Sequence, residues 1–365
     1  MKKIRIFDLK DQYNKIAGEV NKNVTEILYS GQYILGKNVK TLEEKFAKHV
    51  GAKYAISCNS GTDALLLSLR AMNIGKGDEV ITTPFTYFAT AEVIALTGAK
   101  PIFVDINPHT FNINHKLIEK KISRKTKAVI PVHLYGQSCE IYKIKKVCKE
   151  YKITLIEDCA QSFGAKYHNK FTGTIGDFGC YSFFPTKNLG CAGDGGMIVT
   201  GSLQRAKTLK KLRNHGGLTR NVHEYVGYNS RLDEIQASIL ISKLKIINQL
   251  NNKRIKIAEN YKKLIVNPDI RLPYQSKNNN HVYNQFTLRV NNRKRFASHL
   301  DKYQVPYGIY YPTPIYRQSA LKMFNYKYNL KNTEKITKEC ISIPMYPELD
   351  IDSIRYISEI INKYK

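Results

Sequence analysis

The sequence predicts an α/β fold: a mostly parallel seven-stranded sheet flanked by helices, with a smaller C-terminal α+β domain. Three observations carry that expectation. Between about residues 50 and 200, seven short apolar runs alternate with amphipathic stretches, the pattern of a parallel sheet covered by helices on both faces. After residue 230 the pattern becomes one long helical stretch, followed by mixed strand and helix periodicities. At 365 residues the chain is long enough for a large domain and a smaller one.

In chain order, strands are expected at 54–58, 79–84, 101–105, 128–132, 153–158, 180–184 and 196–200. Helical periodicity fills the gaps at 62–72, 89–96, 116–122 and 141–151. A long helix is expected over 231–265, stopping before Pro268. An alternating strand at 282–290, a helix at 293–303, a strand near 307–310 and a closing helix at 351–364 complete the chain. This divides it into an N-terminal arm (1–20), a large domain (21–247) and a small domain (248–365).

The composition, 42% hydrophobic and 24% charged, is that of a soluble globular protein. No apolar run is long enough to cross a bilayer and the N-terminus lacks a cleavable-leader pattern, so a cytoplasmic protein with no membrane partner is expected. A formal charge of +28 favours anionic ligands. The lysines are spread along the whole chain among asparagines and isoleucines. A nucleic-acid footprint gathers them on one helix or among exposed aromatics, so no nucleic-acid partner is expected. The seven cysteines form no CxxC pair and no metal-type spacing with histidine. Reduced, buried thiols and no metal site follow.

Three segments carry chemistry, each at the end of an expected strand, where ligands of such sheets bind. Asn59-Ser60-Gly61-Thr62-Asp63 opens a helix with small polar residues, offering free N–H groups to a phosphate or simply capping the helix. Glu157-Asp158 ends a buried run; a carboxylate there needs a cationic partner, and Asp158 would suit a protonated pyridine nitrogen. Lys187 follows an apolar strand between Pro185 and Gly190, where partial desolvation lowers an amine's pKa, as covalent capture of an aldehyde requires. Phosphate cradle, acid and lysine together fit one cofactor, pyridoxal 5'-phosphate.

Further motifs are Gly31-Gln32-Tyr33-Ile34-Leu35-Gly36, Gly77-Asp78-Glu79-Val80-Ile81, His133-Leu134-Tyr135-Gly136-Gln137 and Tyr228-Asn229-Ser230-Arg231-Leu232-Asp233. With the three segments above, they make the chain resemble the DegT/DnrJ/EryC1/StrS nucleotide-sugar aminotransferases over nearly its whole length. The resemblance implies the aspartate-aminotransferase fold (fold type I of pyridoxal-phosphate enzymes) and a catalytic pair, Lys187 holding the cofactor and Asp158 its ring nitrogen. It places Gln161 by the phenolic oxygen, Tyr87 on the ring face, and Gly61, Thr62, Asp63 (through its backbone) and Ser182 around the phosphate. Asn229 would reach the phosphate in a partner subunit, making a homodimer with shared sites. Arg231, Tyr310 and Tyr311 would meet the substrate. L-glutamate is the implied donor, and pyridoxamine phosphate the form the cofactor takes between half-reactions.

Gln32, Thr62 and the Gln161-Ser162-Phe163-Gly164-Ala165 run look most like enzymes aminating C3 of UDP-2-acetamido-2-deoxy-3-oxo-glucuronate for bacterial surface glycans such as O-antigen. A dTDP-3-oxo-6-deoxyhexose or a 4-keto nucleotide-sugar is the alternative acceptor, and a basic nucleic-acid-binding or regulatory protein the remote one. One departure is Tyr310, where the family often has histidine; Arg317 is the expected compensating cation.

Overall fold

In the computed structural model, residues 4–365 are described. The large domain holds one seven-stranded sheet built from β1 (Tyr54–Cys58), β2 (Glu79–Thr82), β3 (Lys100–Phe103), β4 (Thr126–Ile130) and β5 (Thr154–Asp158). A short hairpin, β6 (Lys166–Tyr167) and β7 (Lys170–Phe171), precedes its last two strands, β8 (Phe178–Ser182) and β9 (Gly196–Thr200). The sheet order is β1-β9-β8-β5-β4-β2-β3. Only β9 runs against its neighbours, β1 and β8; the other pairings are parallel.

Alternation along each strand explains the two helical layers, because successive side chains leave a strand on opposite faces. Ile56, Val80, Ala128, Ile130, Ile156, Cys180 and Ile198 meet the helices Gly61–Ala71, Ala89–Leu96 and Leu203–Leu212. Their neighbours on the opposite face divide into two groups. Ala55, Tyr181, Met197 and Val199 pack on Lys37–Val50 and the first half of Glu234–Leu264. Ile81, Val129 and Leu155 pack on Ile141–Glu150. All seven cysteines are buried and unpaired, and among the described residues no helix is long and apolar enough to cross a membrane.

The helix Glu234–Leu264 runs without interruption through the expected division at 247–248. Its residues through Leu250 join the large core, whereas Ile257, Ala258 and Tyr261 join the small one. There, β10 (Ile270–Arg271), β12 (Phe286–Val290) and β13 (Cys340–Ile343) form an antiparallel sheet ordered β10-β12-β13. The remaining strand, β11 (Asn279–Asn280), leaves that domain to pair with β6.

Three local expectations need correction. The strand expected over 282–290 starts only at Phe286, because the residues before it bond elsewhere. Val282 N–H donates to the Gly136 carbonyl, Gln285 N–H to that of Tyr135, and Tyr283 N–H to His281 Nδ1. Near 307–310 only a single bridge forms, between Gly308 and Ser342, and the pairing strand is β13, which had no expectation. The stretch 116–122 contains two short 3-10 turns in place of a helix.

A buried ion pair ties the sheet edge to the segment leading into the site. Arg213 Nη1 donates to Glu43, to the Ser57 carbonyl at 2.7 Å and to the Ser57 hydroxyl at 3.1 Å, while Glu43 also accepts the Ser57 N–H at 2.9 Å. Glu43→Ala strands a buried guanidinium, so the expected loss is roughly 3–5 kcal/mol, measured by chemical denaturation; a loss under ~1 kcal/mol would count against the pair's structural weight.

Candidate active site

The carboxyl ends of β5 and β8 and the start of the helix after β1 meet at one place. At the end of β5, alternation sends Glu157 and Asp158 to opposite sides. Glu157 is saturated on the far side: its oxygens accept the N–H groups of Gly173, Ile175 and Gly176 at 2.6–2.8 Å and face His133 Nε2 at 2.9 Å. His133 Nδ1 accepts the Cys139 N–H at 3.0 Å. His133, Glu157 and Cys159 could by spacing hold a metal ion, yet these bonds already engage both ring nitrogens of His133 and both oxygens of Glu157.

Asp158 faces the site. It is 5% exposed, takes the Thr90 hydroxyl at 2.9 Å on one oxygen and the Ala160 N–H at 3.1 Å on the other. Burial raises its pKa, while these two bonds and the nearby Lys187 ammonium pull it back. Lys187 is perturbed oppositely: burial lowers its pKa and the Asp158 carboxylate opposes that. The two groups therefore feel each other's charge, Asp158 buried and Lys187 half-buried, each favouring the ionised form of the other.

The lysine is held by a closed turn. Lys187 N–H donates to the Phe184 carbonyl at 2.8 Å and Cys191 N–H to that of Phe183 at 2.7 Å. A Cβ at Gly190 would come within 2.4 Å of the Pro185 oxygen, so only glycine closes this loop. Next to the lysine, Asn188 is buried and bonded to Asn251 on the long helix (2.7 Å), to the Val282 carbonyl (3.1 Å) and to Asn284 (2.9 Å). Nothing in the sequence marked Asn188, because its partners lie far along the chain.

The segment expected to hold a phosphate is built on Gly61. Ser60 caps the helix by accepting the Asp63 N–H at 3.0 Å, and Ala64 N–H makes the first helical bond to the Ser60 carbonyl. The N–H groups of Gly61 and Thr62 precede that bond and suit an anion. A Cβ at Gly61 would lie 2.6 Å from Ser182 Cβ, so glycine lets Ser182, at the end of β8, approach the helix start. Gly61→Ala is expected to weaken pyridoxal-phosphate binding at least ~10-fold by forcing them apart, measured by equilibrium dialysis; unchanged affinity would remove the cradle.

Asp63 enters differently from expectation. Its backbone N–H is engaged by the Ser60 cap, and its carboxylate accepts the Ser230 hydroxyl at 2.6 Å. Ser230 also receives the Asn59 N–H at 3.3 Å, so Ser230, through Asn59 and the Asp63 carboxylate, ties the segment 228–231 to the helix start. Asn229 is exposed, fixed through a backbone bridge to Asn214. Arg231 donates through Nη1 to Asn214 at 3.1 Å, while its Nε is buried without a partner.

The small domain supplies the last wall. Gln161 Nε2 donates to the Tyr311 hydroxyl at 3.0 Å, and the Tyr311 ring lies 6.3 Å from that of Tyr87, which is 62% exposed. Tyr310 is half-buried beside it. Arg317 points its guanidinium at Glu334 at 2.8 Å, which also takes the Tyr316 hydroxyl. The expected compensation for Tyr310 is thus not made by Arg317, whose charge Glu334 already meets.

This set fits pyridoxal phosphate on its own chemistry: a desolvated amine, a buried acid beside it, and a cradle that a Cβ would fill. The comparisons agree. The solved Streptomyces venezuelae DesV structure, in complex with a ketimine intermediate, superposes with a TM-score of 0.97 at 33% identity, covering 100% of this chain and 98% of that one. UDP-2-acetamido-2-deoxy-3-oxo-D-glucuronate aminotransferase of Pseudomonas aeruginosa is 43% identical, over 97% of this chain and 98% of its own. The pleiotropic regulatory protein of Geobacillus stearothermophilus is 41% identical, over 99% and 98%. With the family profile matched over residues 14–362, the chain belongs to the DegT/DnrJ/EryC1/StrS aminotransferase family and is a pyridoxal-phosphate-dependent nucleotide-sugar transaminase.

Proposed function

We propose that this enzyme moves an amino group from L-glutamate to C3 of UDP-2-acetamido-2-deoxy-3-oxo-glucuronate, giving a 3-amino sugar for a bacterial surface glycan. The observation that carries the transamination is the half-buried Lys187, in the turn after β8, electrostatically coupled to the buried Asp158 at the end of β5. When bound, pyridoxal phosphate supplies an aldehyde for the amino group and a ring that withdraws electrons. Lys187 would hold the aldehyde and, as a free amine, would move the proton at the substrate carbon. Asp158, held by Thr90 and the Ala160 N–H, keeps a proton on the ring nitrogen. Gly61, Thr62 and Ser182 orient the phosphate end.

The acceptor is supported by the likeness to the Pseudomonas enzyme and by Arg231. Its Nε, buried and unpartnered, is a cation-borne donor waiting for an anionic oxygen, which a sugar diphosphate or a uronate carboxylate supplies. Incubation with L-glutamate and the UDP-3-oxo-glucuronate is expected to yield the 3-amino product, read by mass spectrometry. Amination of dTDP-3-oxo-6-deoxyhexose at a higher kcat/KM would replace this acceptor with the alternative.

The shared-site dimer rests on exposed apolar side chains: Tyr29 at 91% and Val226 at 97%, with Leu28, Tyr33, Tyr87 and Phe184. A lone chain rarely leaves so many uncovered. Mixing Lys187→Ala with Asn229→Ala subunits after reversible dissociation is expected to restore about a quarter of wild-type activity, since half the dimers then carry one intact site. No recovery would mean that Asn229 serves its own subunit.

A further inference from the structure

Tyr135 has no role in the site described above, yet it holds two parts of it. It lies in the turn Leu134–Gly136 after β4, at φ 58°, with its ring buried 6.4 Å from Phe85 and 5.7 Å from Phe111. Left-handed backbone is costly for a bulky aromatic and turns its N–H and its side chain to separate partners. The N–H donates to Gln161 Oε1 at 2.8 Å. The hydroxyl donates to the Tyr310 carbonyl, across the junction between the domains.

These bonds have fixed directions. A backbone N–H only donates, so the Gln161 atom facing it is the amide oxygen, and its nitrogen faces Tyr311. An amide nitrogen also only donates, so the Tyr311 oxygen is the acceptor of the 3.0 Å bond. Tyr311's own proton is therefore not spent on Gln161. Burial, with the Asp158 carboxylate adding to it, pushes the Tyr311 phenol up, so it stays a neutral donor across the physiological range.

We infer that Tyr135 is a positioning residue that, through Gln161 and the Tyr310 carbonyl, presents the Tyr311 hydroxyl as a hydrogen-bond donor to the phenolic oxygen of bound pyridoxal phosphate. This rests on the proposed function and on the family resemblance, which sets Gln161 beside that oxygen. It assigns Tyr311 to the cofactor, away from the substrate that the family resemblance has it meet. A donor there favours the negatively charged oxygen and so lowers the pH at which the bound cofactor loses its proton.

The test is a pH titration of the visible absorption band of the holoenzyme, in wild type, Tyr311→Phe and Tyr135→Phe, alongside the pyridoxal-phosphate dissociation constant from equilibrium dialysis. The midpoint is expected to rise by about one pH unit in Tyr311→Phe, and by less, in the same direction, in Tyr135→Phe. The dissociation constant should rise about five-fold in Tyr311→Phe. An unmoved midpoint in Tyr311→Phe overturns the donor; a shift there with none in Tyr135→Phe overturns the positioning. If Tyr135→Phe does not fold, Tyr135→Met, which also lacks the hydroxyl that bonds the Tyr310 carbonyl, takes its place with the same expected rise and the same consequence if none is seen. A wild-type chain that takes up no cofactor overturns the underlying site assignment, and is distinguishable because no band exists to titrate.

Discussion

Lys187→Ala is expected to abolish transamination, with kcat/KM falling by at least ~10³-fold, the scale of a lost proton-transferring group. On the proposed reading the replacement removes two functions at once, covalent retention of the cofactor and proton transfer at the substrate carbon. Borohydride reduction followed by mass spectrometry should fix pyridoxal phosphate to the wild-type chain and leave the variant unmodified. The pH dependence has a definite sign. Burial lowers the Lys187 pKa, so the neutral amine that captures the aldehyde appears below the ordinary lysine range. Capture by the apoprotein should therefore accelerate as pH rises through that lowered value and level off above it. A capture rate still climbing at the pKa of free lysine would show that the amine is not desolvated in solution.

Asp158→Asn should cost about 10²–10³-fold in kcat with less effect on KM, because it removes a charge that matters most as electrons move toward the ring nitrogen. Burial raises the Asp158 pKa, so in the apoprotein the carboxylate takes up a proton at a pH above the usual carboxylate range as the medium is acidified. Cofactor binding by the wild type should weaken through that window, and the Asn variant should lack this acid limb. Loss of activity equal to that of Lys187→Ala would mean instead that the pocket had collapsed. Near-native thermal melting is expected: the amide oxygen can accept the Ala160 N–H while the amide nitrogen donates to the Thr90 hydroxyl oxygen, and a neutral side chain is cheaper to bury.

Much of this site is legible in the sequence because each piece announces itself locally. A small polar run opening a helix, an acid ending an apolar run, and a lysine between proline and glycine are all short-range patterns. Each lies at a strand end, where parallel sheets put their ligands. Thr90, Asn188, Ser230 and Tyr135 were not legible for the opposite reason. Thr90 bonds a residue 68 positions away, Asn188 one 96 away and Ser230 one 167 away. No local pattern encodes a partner at that distance. Asp63 shows the converse. Its backbone looked like part of the cradle, but Ser60, three residues earlier, competes for the same N–H.

The fold divides along the same line. Apolar periodicity alone determined a layered α/β domain followed by an α+β one, since a strand with both faces apolar must be buried between helices. It could not determine the sheet order β1-β9-β8-β5-β4-β2-β3, in which β1 and β9 pair across some 140 residues of chain, because burial is non-directional and says nothing of which strand lies beside which. Nor could it show that 282–285 would give up strand pairing to bond the turn at Tyr135 and Gly136. The residue types proposed to do the chemistry were readable in the sequence. Their orientation, from the directed bonds on Gln161 to the opposed pKa shifts of Lys187 and Asp158, arises only when distant segments exclude water together and leave each polar group with no partner but the others.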